Sequence, residues 1–382
     1  MTDKRVVCSD LNYRGEPRHL LVFMDGTWND ENGVANDGIT TNIYKLFRAL
    51  EGQLTCDSVP HIITHEEHVA LYYRGIGNDD DNNMIGSWHK GAFGGSEKRI
   101  RDSAYCGIVE HYRKGDRISL FGFSRGSASA RLLAADLEKE GVAASIEIHT
   151  NEEENKSTGC VEKVYKKYAN KSTDNSKVKV DFLGIFDTVG AFGIPIDLGF
   201  GFQKLNLFKD LNVAGNVDQV VHCVSIDESR TPFIPTLCNK AKHIDEVWFA
   251  GVHSDIGGGY RHNQLSKIPA AYMINRLNQV FTGQPIRFNE GKLAELSQYQ
   301  MSDEFQLHYH GDGVAKERRK IQVLKDNESS TDKPRIHESV FSLIASSKVY
   351  LNTPLDSFSK VDKIHYCPKS VNGLLGNYIV VS

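Results

Sequence analysis

The chain has 382 residues, 40% of them hydrophobic and 25% charged, so it can bury a large core and fits one large α/β domain or two smaller ones. Its net charge of -4 and pI near 6.4 supply no basic field, which excludes nucleic acid as a main partner. Seven cysteines (Cys8, Cys56, Cys106, Cys160, Cys223, Cys238 and Cys367) are scattered, odd in number and lack a C-x-x-C pair, which points to reduced thiols rather than a zinc ribbon or a disulfide framework.

The N-terminal stretch "MTDKRVVCSDLNYRGEPRH" contains no apolar run of the roughly 7–15 residues that a secretory signal needs, so a cytoplasmic location, or export outside the Sec route, is expected. Short apolar runs that stop at Gly or Asp then recur along the chain: 18–25, 69–77, 116–123, 177–187 and 245–253. Buried parallel strands read this way. Between them, 41–50 opens on Thr41 as an N-cap, 96–116 keeps apolar residues at helical spacing, and 125–141 closes on Gly141 as a C-cap. The alternation predicts an α/β fold of the α/β-hydrolase kind, a mostly parallel central sheet with helices on both faces. Polar stretches at 149–159 and 327–334 read as parts of surface insertions near 142–177 and 291–334, within a single domain spanning 1–382. The greasiest segment, 182–202, carries two aspartates and a proline and is a poor membrane span.

The run "SLFGFSRGSASA" sets Ser124 between Gly122 and Gly126, after a strand and before a helix of small residues. That context fits a nucleophile elbow, where a strained turn exposes the serine and small neighbours avoid clashes. A serine hydroxyl needs a base, and the base needs an orienting acid. Asp187 and His253 close the next apolar runs in the order Ser, Asp, His, with Asp255 as a loop-capping support, His337 as a reserve base, and His222 and Asp227 as a competing polar pair. For the oxyanion hole, the expected donors are the backbone N–H of Arg125 and that of Gly26 or Thr27, in a loop held by Asp25. A haloacid-dehalogenase reading of "DGT" at 25–27 fails because Phe23 occupies the nucleophile position, and no P-loop is present. The reading assigns no metal and no cofactor, and takes the cluster Asp79, Asp80 and Asp81 as a solvated turn rather than a calcium site.

"FMDGTWND", "GFSRG", "GIFDTVGAFG", "HCVSIDESRTPF", "EVWFAGVHSDIGGGY" and "RIHESV" together resemble an α/β-hydrolase family of unknown-function domains that includes the first class of type VI secretion lipase effectors. The similarity runs from about residue 18 to about 354. It implies a serine-dependent phospholipase with Ser124, Asp187 and His253 at the triad positions, acting as an antibacterial effector or in defence inside the cell, with an immunity or regulatory protein as partner. A phospholipid or other acyl ester is the expected substrate, with peripheral membrane contact. An esterase or thioesterase on a small soluble substrate, and a catalytically idle binding module, stay open as alternatives. Acyl chains need an apolar surface beside the nucleophile, and the segment after Asp187 offers one, with Phe192, Phe200 and Phe202 as substrate-binding candidates.

Overall fold

Alternation decides this fold: along Leu20–Met24, Leu20, Val22 and Met24 enter one apolar cluster while Leu21 and Phe23 enter another, so the strand is buried on both faces. The computed structural model describes residues 3–27, 29–33, 38–56, 59–75, 93–154, 161–170, 178–190, 212–301, 304–309, 316–346, 348–352 and 362–382. In chain order the first strands are β1 (Asp3–Cys8), β2 (His19–Met24), β3 (Gln53–Cys56), β4 (His61–Thr64), β5 (His68–Tyr73), β6 (Arg117–Phe123), β7 (Ser145–Glu154), β8 (Val161–Asn170) and β9 (Val180–Phe186). They are followed by β10 (Val220–Ser225), β11 (Ile244–Phe249), β12 (Phe305–His308), β13 (Leu324–Lys325), β14 (Glu328–Ser329), β15 (Arg335–His337), β16 (Val349–Asn352), β17 (Asp362–Ile364) and β18 (Ile379–Val381).

Ten of these strands form one sheet in the order β18-β15-β11-β10-β9-β6-β2-β5-β4-β3, parallel from β18 to β5 and antiparallel only at the β5-β4-β3 edge. Helices cover both faces. On one side lie α1 (Asn42–Ala49) and α5 (Gln264–Val280), whose Ile43, Phe47, Leu265 and Met273 share a cluster with Phe23, Phe121 and Phe182. On the other lie α2 (Phe93–His111) and α3 (Arg125–Glu140), whose Tyr105, Ile108, Leu133 and Leu137 pack with Leu20, Leu120 and Leu183. The remaining helices are the short α4 (His253–Gly257), α6 (Glu290–Ser297), α7 (Glu338–Ala345) and α8 (Lys369–Asn372). The expected α/β class with a mostly parallel sheet between helical layers is therefore what the chain forms.

Most expected elements are present, and Thr41 caps α1 as anticipated, its hydroxyl accepting the Tyr44 N–H at 3.2 Å. Two readings need correction. β10 was not foreseen as a strand, because His222 interrupts its apolar run, yet it lies between β9 and β11 in the sheet. β11 stops at Phe249 rather than 253, since Gly251 turns the chain at φ +111 and His253 opens α4. β7 pairs with β8 and with β1 in a separate antiparallel sheet, and β7 takes in residues 149–154 of the polar stretch.

The α3 N-terminus approaches β2 so closely that a Cβ added to Gly126 would sit 2.2 Å from the Met24 carbonyl oxygen. Gly126→Ala should therefore destabilise by about 1–3 kcal/mol, as overpacking typically does. Gly283→Ala, where a Cβ meets nothing within 4 Å, should leave the melting temperature almost unchanged. Equal melting temperatures for the two variants would contradict this packing.

Candidate active site

Parallel strands deliver their C-terminal ends to one edge of the sheet, and β6, β9 and β11 deliver Ser124, Asp187 and His253 there. Ser124 stands between β6 and α3 at φ 58, ψ -122, a backbone conformation that costs a non-glycine residue on the order of 1–3 kcal/mol. The surroundings enforce it. The Ser124 N–H donates to the Phe186 carbonyl (3.0 Å), as does the Ser127 hydroxyl (3.0 Å), and the Val189 N–H donates to the Ser124 carbonyl (3.2 Å).

Asp187, at φ 40 just past β9, is fully buried, and its carboxylate is surrounded by donors. Oδ1 accepts from the Ser225 N–H (2.9 Å) and Arg319 Nη1 (2.5 Å); Oδ2 meets Arg319 Nη2 (2.8 Å) and His253 Nδ1 (2.5 Å). Burial alone would raise this carboxyl, but the Arg319 guanidinium and the His253 hydrogen bond outweigh it and hold Asp187 well below the usual carboxylate range. Burial lowers His253, against the pull of Asp187, which favours the neutral imidazole. With Nδ1–H committed to Asp187, Nε2 is left with the lone pair that can take a proton. The ring packs against Phe123, the residue before Ser124, at 4.6 Å between centroids, and against Phe233 at 4.9 Å. Behind it, Glu228 accepts the His253 N–H (3.2 Å) and pairs with Arg230 (2.8 Å).

The loop after β2 lies against the same turn, since a Cβ on Gly26 would stand 3.2 Å from the Ser124 Cβ. Asp25 anchors that loop by accepting from Tyr72 Oη (2.8 Å), Thr41 Oγ1 (2.8 Å) and the Gly26 N–H (2.7 Å), and burial lifts its pKa to about 7 against these bonds. Gly26 spends its N–H on Asp25, and the buried Thr27 hydroxyl has no partner among the described residues.

Asp255 caps its own loop by accepting the Val252 N–H (3.0 Å) and pairs with the unforeseen His308 (2.6 Å). His222 and Asp227 do not pair: His222 contacts Glu246 (2.9 Å) and accepts the Thr188 N–H (3.2 Å), while Asp227 takes the Gly251 N–H (2.7 Å) and the Tyr366 hydroxyl (2.8 Å). Among the described residues, His222, Cys238 and Glu246 are also the one group that could hold a metal ion, their ligand atoms lying within 4.8 Å of one another. Glu246 there accepts the Cys238 N–H (2.8 Å) as well as facing His222, which makes the group a hydrogen-bonded brace behind the Asp187 loop. Phe192, Phe200 and Phe202, and the cluster Asp79, Asp80 and Asp81, lie outside the described residues. Arg319 was missed because "KERRK" reads as a solvated charge run, and no local signal marks its burial.

A family model described as "T6SS, Phospholipase effector Tle1-like, catalytic domain" matches residues 18–276. The curated "Uncharacterized protein YEL023C" of Saccharomyces cerevisiae is 28% identical over 219 residues, 50% of this chain and 29% of that protein. Among solved structures, an uncharacterized protein from Pseudomonas aeruginosa is similar at 18% identity and a TM-score of 0.45, over 75% of this chain and 49% of that one. The Tle1 effector bound to the VgrG spike from the Type 6 secretion system is similar at 19% identity and a TM-score of 0.37, over 65% of this chain and 52% of its own. The matched stretch thus spans less than a third of the yeast protein and about half of each solved chain.

His337, the reserve base, caps α7 instead: Nδ1 accepts the Ser339 N–H (3.2 Å), and the ring stacks on Phe249 at 4.8 Å. Burial drops its pKa to about 4 from the ordinary 6.5. The unfolded chain therefore takes up this proton first, so the contribution of His337 is complete above pH 6.5 and is lost as pH falls toward 4. His68, also lowered to about 4 by burial, acts in the same direction. His337→Asn keeps a capping acceptor and removes the titration, so the fall in melting temperature between about pH 7 and pH 4.5 should shrink by several degrees. An unchanged fall would contradict the assignment.

Proposed function

This chain belongs to the family of Tle1-like catalytic domains of type VI secretion phospholipase effectors, and on that premise we propose that it is a serine-dependent hydrolase of phospholipid acyl esters on an α/β-hydrolase-like scaffold. The observation that carries this reading is a His253 hydrogen-bonded to a buried Asp187 at 2.5 Å and packed against the residue that precedes a strained Ser124. Ser124 Oγ would attack the ester carbonyl while His253 Nε2 takes its proton, giving a tetrahedral oxyanion. The Arg125 N–H, at the start of α3, and the Thr27 N–H are the proposed donors to that oxygen. Collapse of the intermediate breaks the C–O bond as His253 returns the proton to the departing alcohol. Water, activated by the same imidazole, then hydrolyses the acyl-serine to free fatty acid and Ser124. Asp187 stays ionised throughout and stabilises the imidazolium that forms twice per cycle.

We read the whole chain as one catalytic unit, because Arg319, beyond the matched residues 18–276, reaches Asp187. Phospholipid as substrate, contact with a membrane surface and a neutralising partner protein belong to the same proposal. Among the described residues no helix is long and apolar enough to cross a membrane.

Ser124→Ala should lower ester hydrolysis by about three or more orders of magnitude with little change in melting temperature. Asp187→Asn should cost both activity and stability, on the order of 3–5 kcal/mol, because it leaves the Arg319 charge buried and unpaired. A mass-spectrometric lipid panel should register free fatty acid from phospholipid vesicles. Turnover of short soluble esters alone would favour a small-molecule esterase, and full activity in Ser124→Ala would end the serine mechanism.

A further inference from the structure

We propose that Arg319 is a positioning residue of this reaction: its guanidinium fixes the Asp187 carboxylate in the orientation that receives His253 Nδ1–H and balances its charge in a buried site. The inference rests on the serine-hydrolase reading above and adds to it a member supplied by a segment outside the matched catalytic region. Arg319 is 6% exposed, and both terminal nitrogens of its fork are engaged: Nη1 donates to Asp187 Oδ1 (2.5 Å) and the Ser225 carbonyl (2.9 Å), Nη2 to Asp187 Oδ2 (2.8 Å) and the Phe233 carbonyl (2.6 Å), while the buried Nε has no partner among the described residues. Two carbonyls thus fix the guanidinium plane, and the plane fixes the carboxylate. The Arg319 carbonyl is itself held by the Ser370 hydroxyl (3.0 Å).

The chemistry explains why a cation belongs there. A carboxyl this deeply buried gravitates to its neutral acid form, and a neutral acid is a poor anchor for an imidazolium. Arg319 removes that option. Its charge has a second effect, because it also opposes the positive charge that His253 acquires, and so extends the neutral, working form of the imidazole to lower pH. The other charges that face His253 are Asp187 and Glu228, with Arg230 on the far side of Glu228, while Phe123 and Phe233 cover the ring; Asp255, on the same short helix, is turned to His308 and the Val252 N–H.

The test measures the rate of labelling by a fluorophosphonate from pH 5 to 9 in wild type, R319M, R319K and S124A, with melting curves for each. R319M should label about 10- to 100-fold more slowly on the plateau, with its acidic limb moved to higher pH because the opposing cation is gone. R319K should keep the limb near that of wild type and recover part of the plateau. A wild-type plateau and limb in R319M overturn the proposal, and so does a lowered melting temperature with slower labelling but an unmoved limb, the mark of a purely structural residue. Should R319M fail to melt cooperatively, R319K decides: a plateau at least threefold below wild type at a similar melting temperature supports the role, and a wild-type plateau overturns it. Labelling of S124A at the wild-type rate would instead refute the nucleophile itself, separating the two claims.

Discussion

A fully buried carboxylate must be neutralised or shared, and Asp187 is shared among an imidazole, a guanidinium and a backbone N–H. The rest of the site follows from that arrangement. Once Asp187 is held ionised, His253 has a fixed tautomer and a fixed ring plane, and its free nitrogen lies on the side away from the carboxylate. In the proposed mechanism, this ring is the base for Ser124 on its strained turn. Removing any one of these elements leaves a buried group without its partner, so the proposed constellation should respond to substitution as a unit rather than as independent contacts.

The scaffold supplies this geometry through register. β9 runs in register with β6 on one side and β10 on the other, so Phe123 pairs with Phe186 and Phe186 with Cys223. Consequently Ser124 and Asp187 leave neighbouring strands at the same level, and Ser225, one strand further, presents its N–H to Asp187. The β11 strand ends later in space, and Gly251 bends the chain back so that His253 begins a helix over the site. Dense packing on both faces makes these positions hard to move. Phe23 stacks on Phe121 beneath the elbow at 4.7 Å, and Phe121 meets Phe182 at 5.7 Å.

Local chemistry made much of this legible in the sequence, and long-range chemistry did not. Gly-Phe-Ser-Arg-Gly after an apolar run identifies an elbow because strain and small neighbours leave a mark within five residues. The ends of the apolar runs single out Asp187 and His253 for a similar reason, since parallel sheets bring such ends to one edge, and the structure sets the two side chains in contact there. Arg319 left no such mark: it sits in a run of charges that reads as solvent-facing, and only tertiary packing carries it into the core. His308 was hidden in the same way, within a region of polar composition that reads as an insertion. The Gly26 N–H bond has a different origin: it goes to the preceding side chain, a one-residue hydrogen bond that backbone patterns do not reveal.

In the proposed reaction Ser124 carries the acyl group between its two halves. Brief incubation with phospholipid vesicles, an acid quench, proteolysis and mass spectrometry would detect that intermediate directly. The account predicts a fatty-acyl mass on the peptide containing Ser124. Lipid hydrolysis with the acyl group on another residue, or with no acylated peptide at all under conditions that trap a control serine lipase, would contradict it.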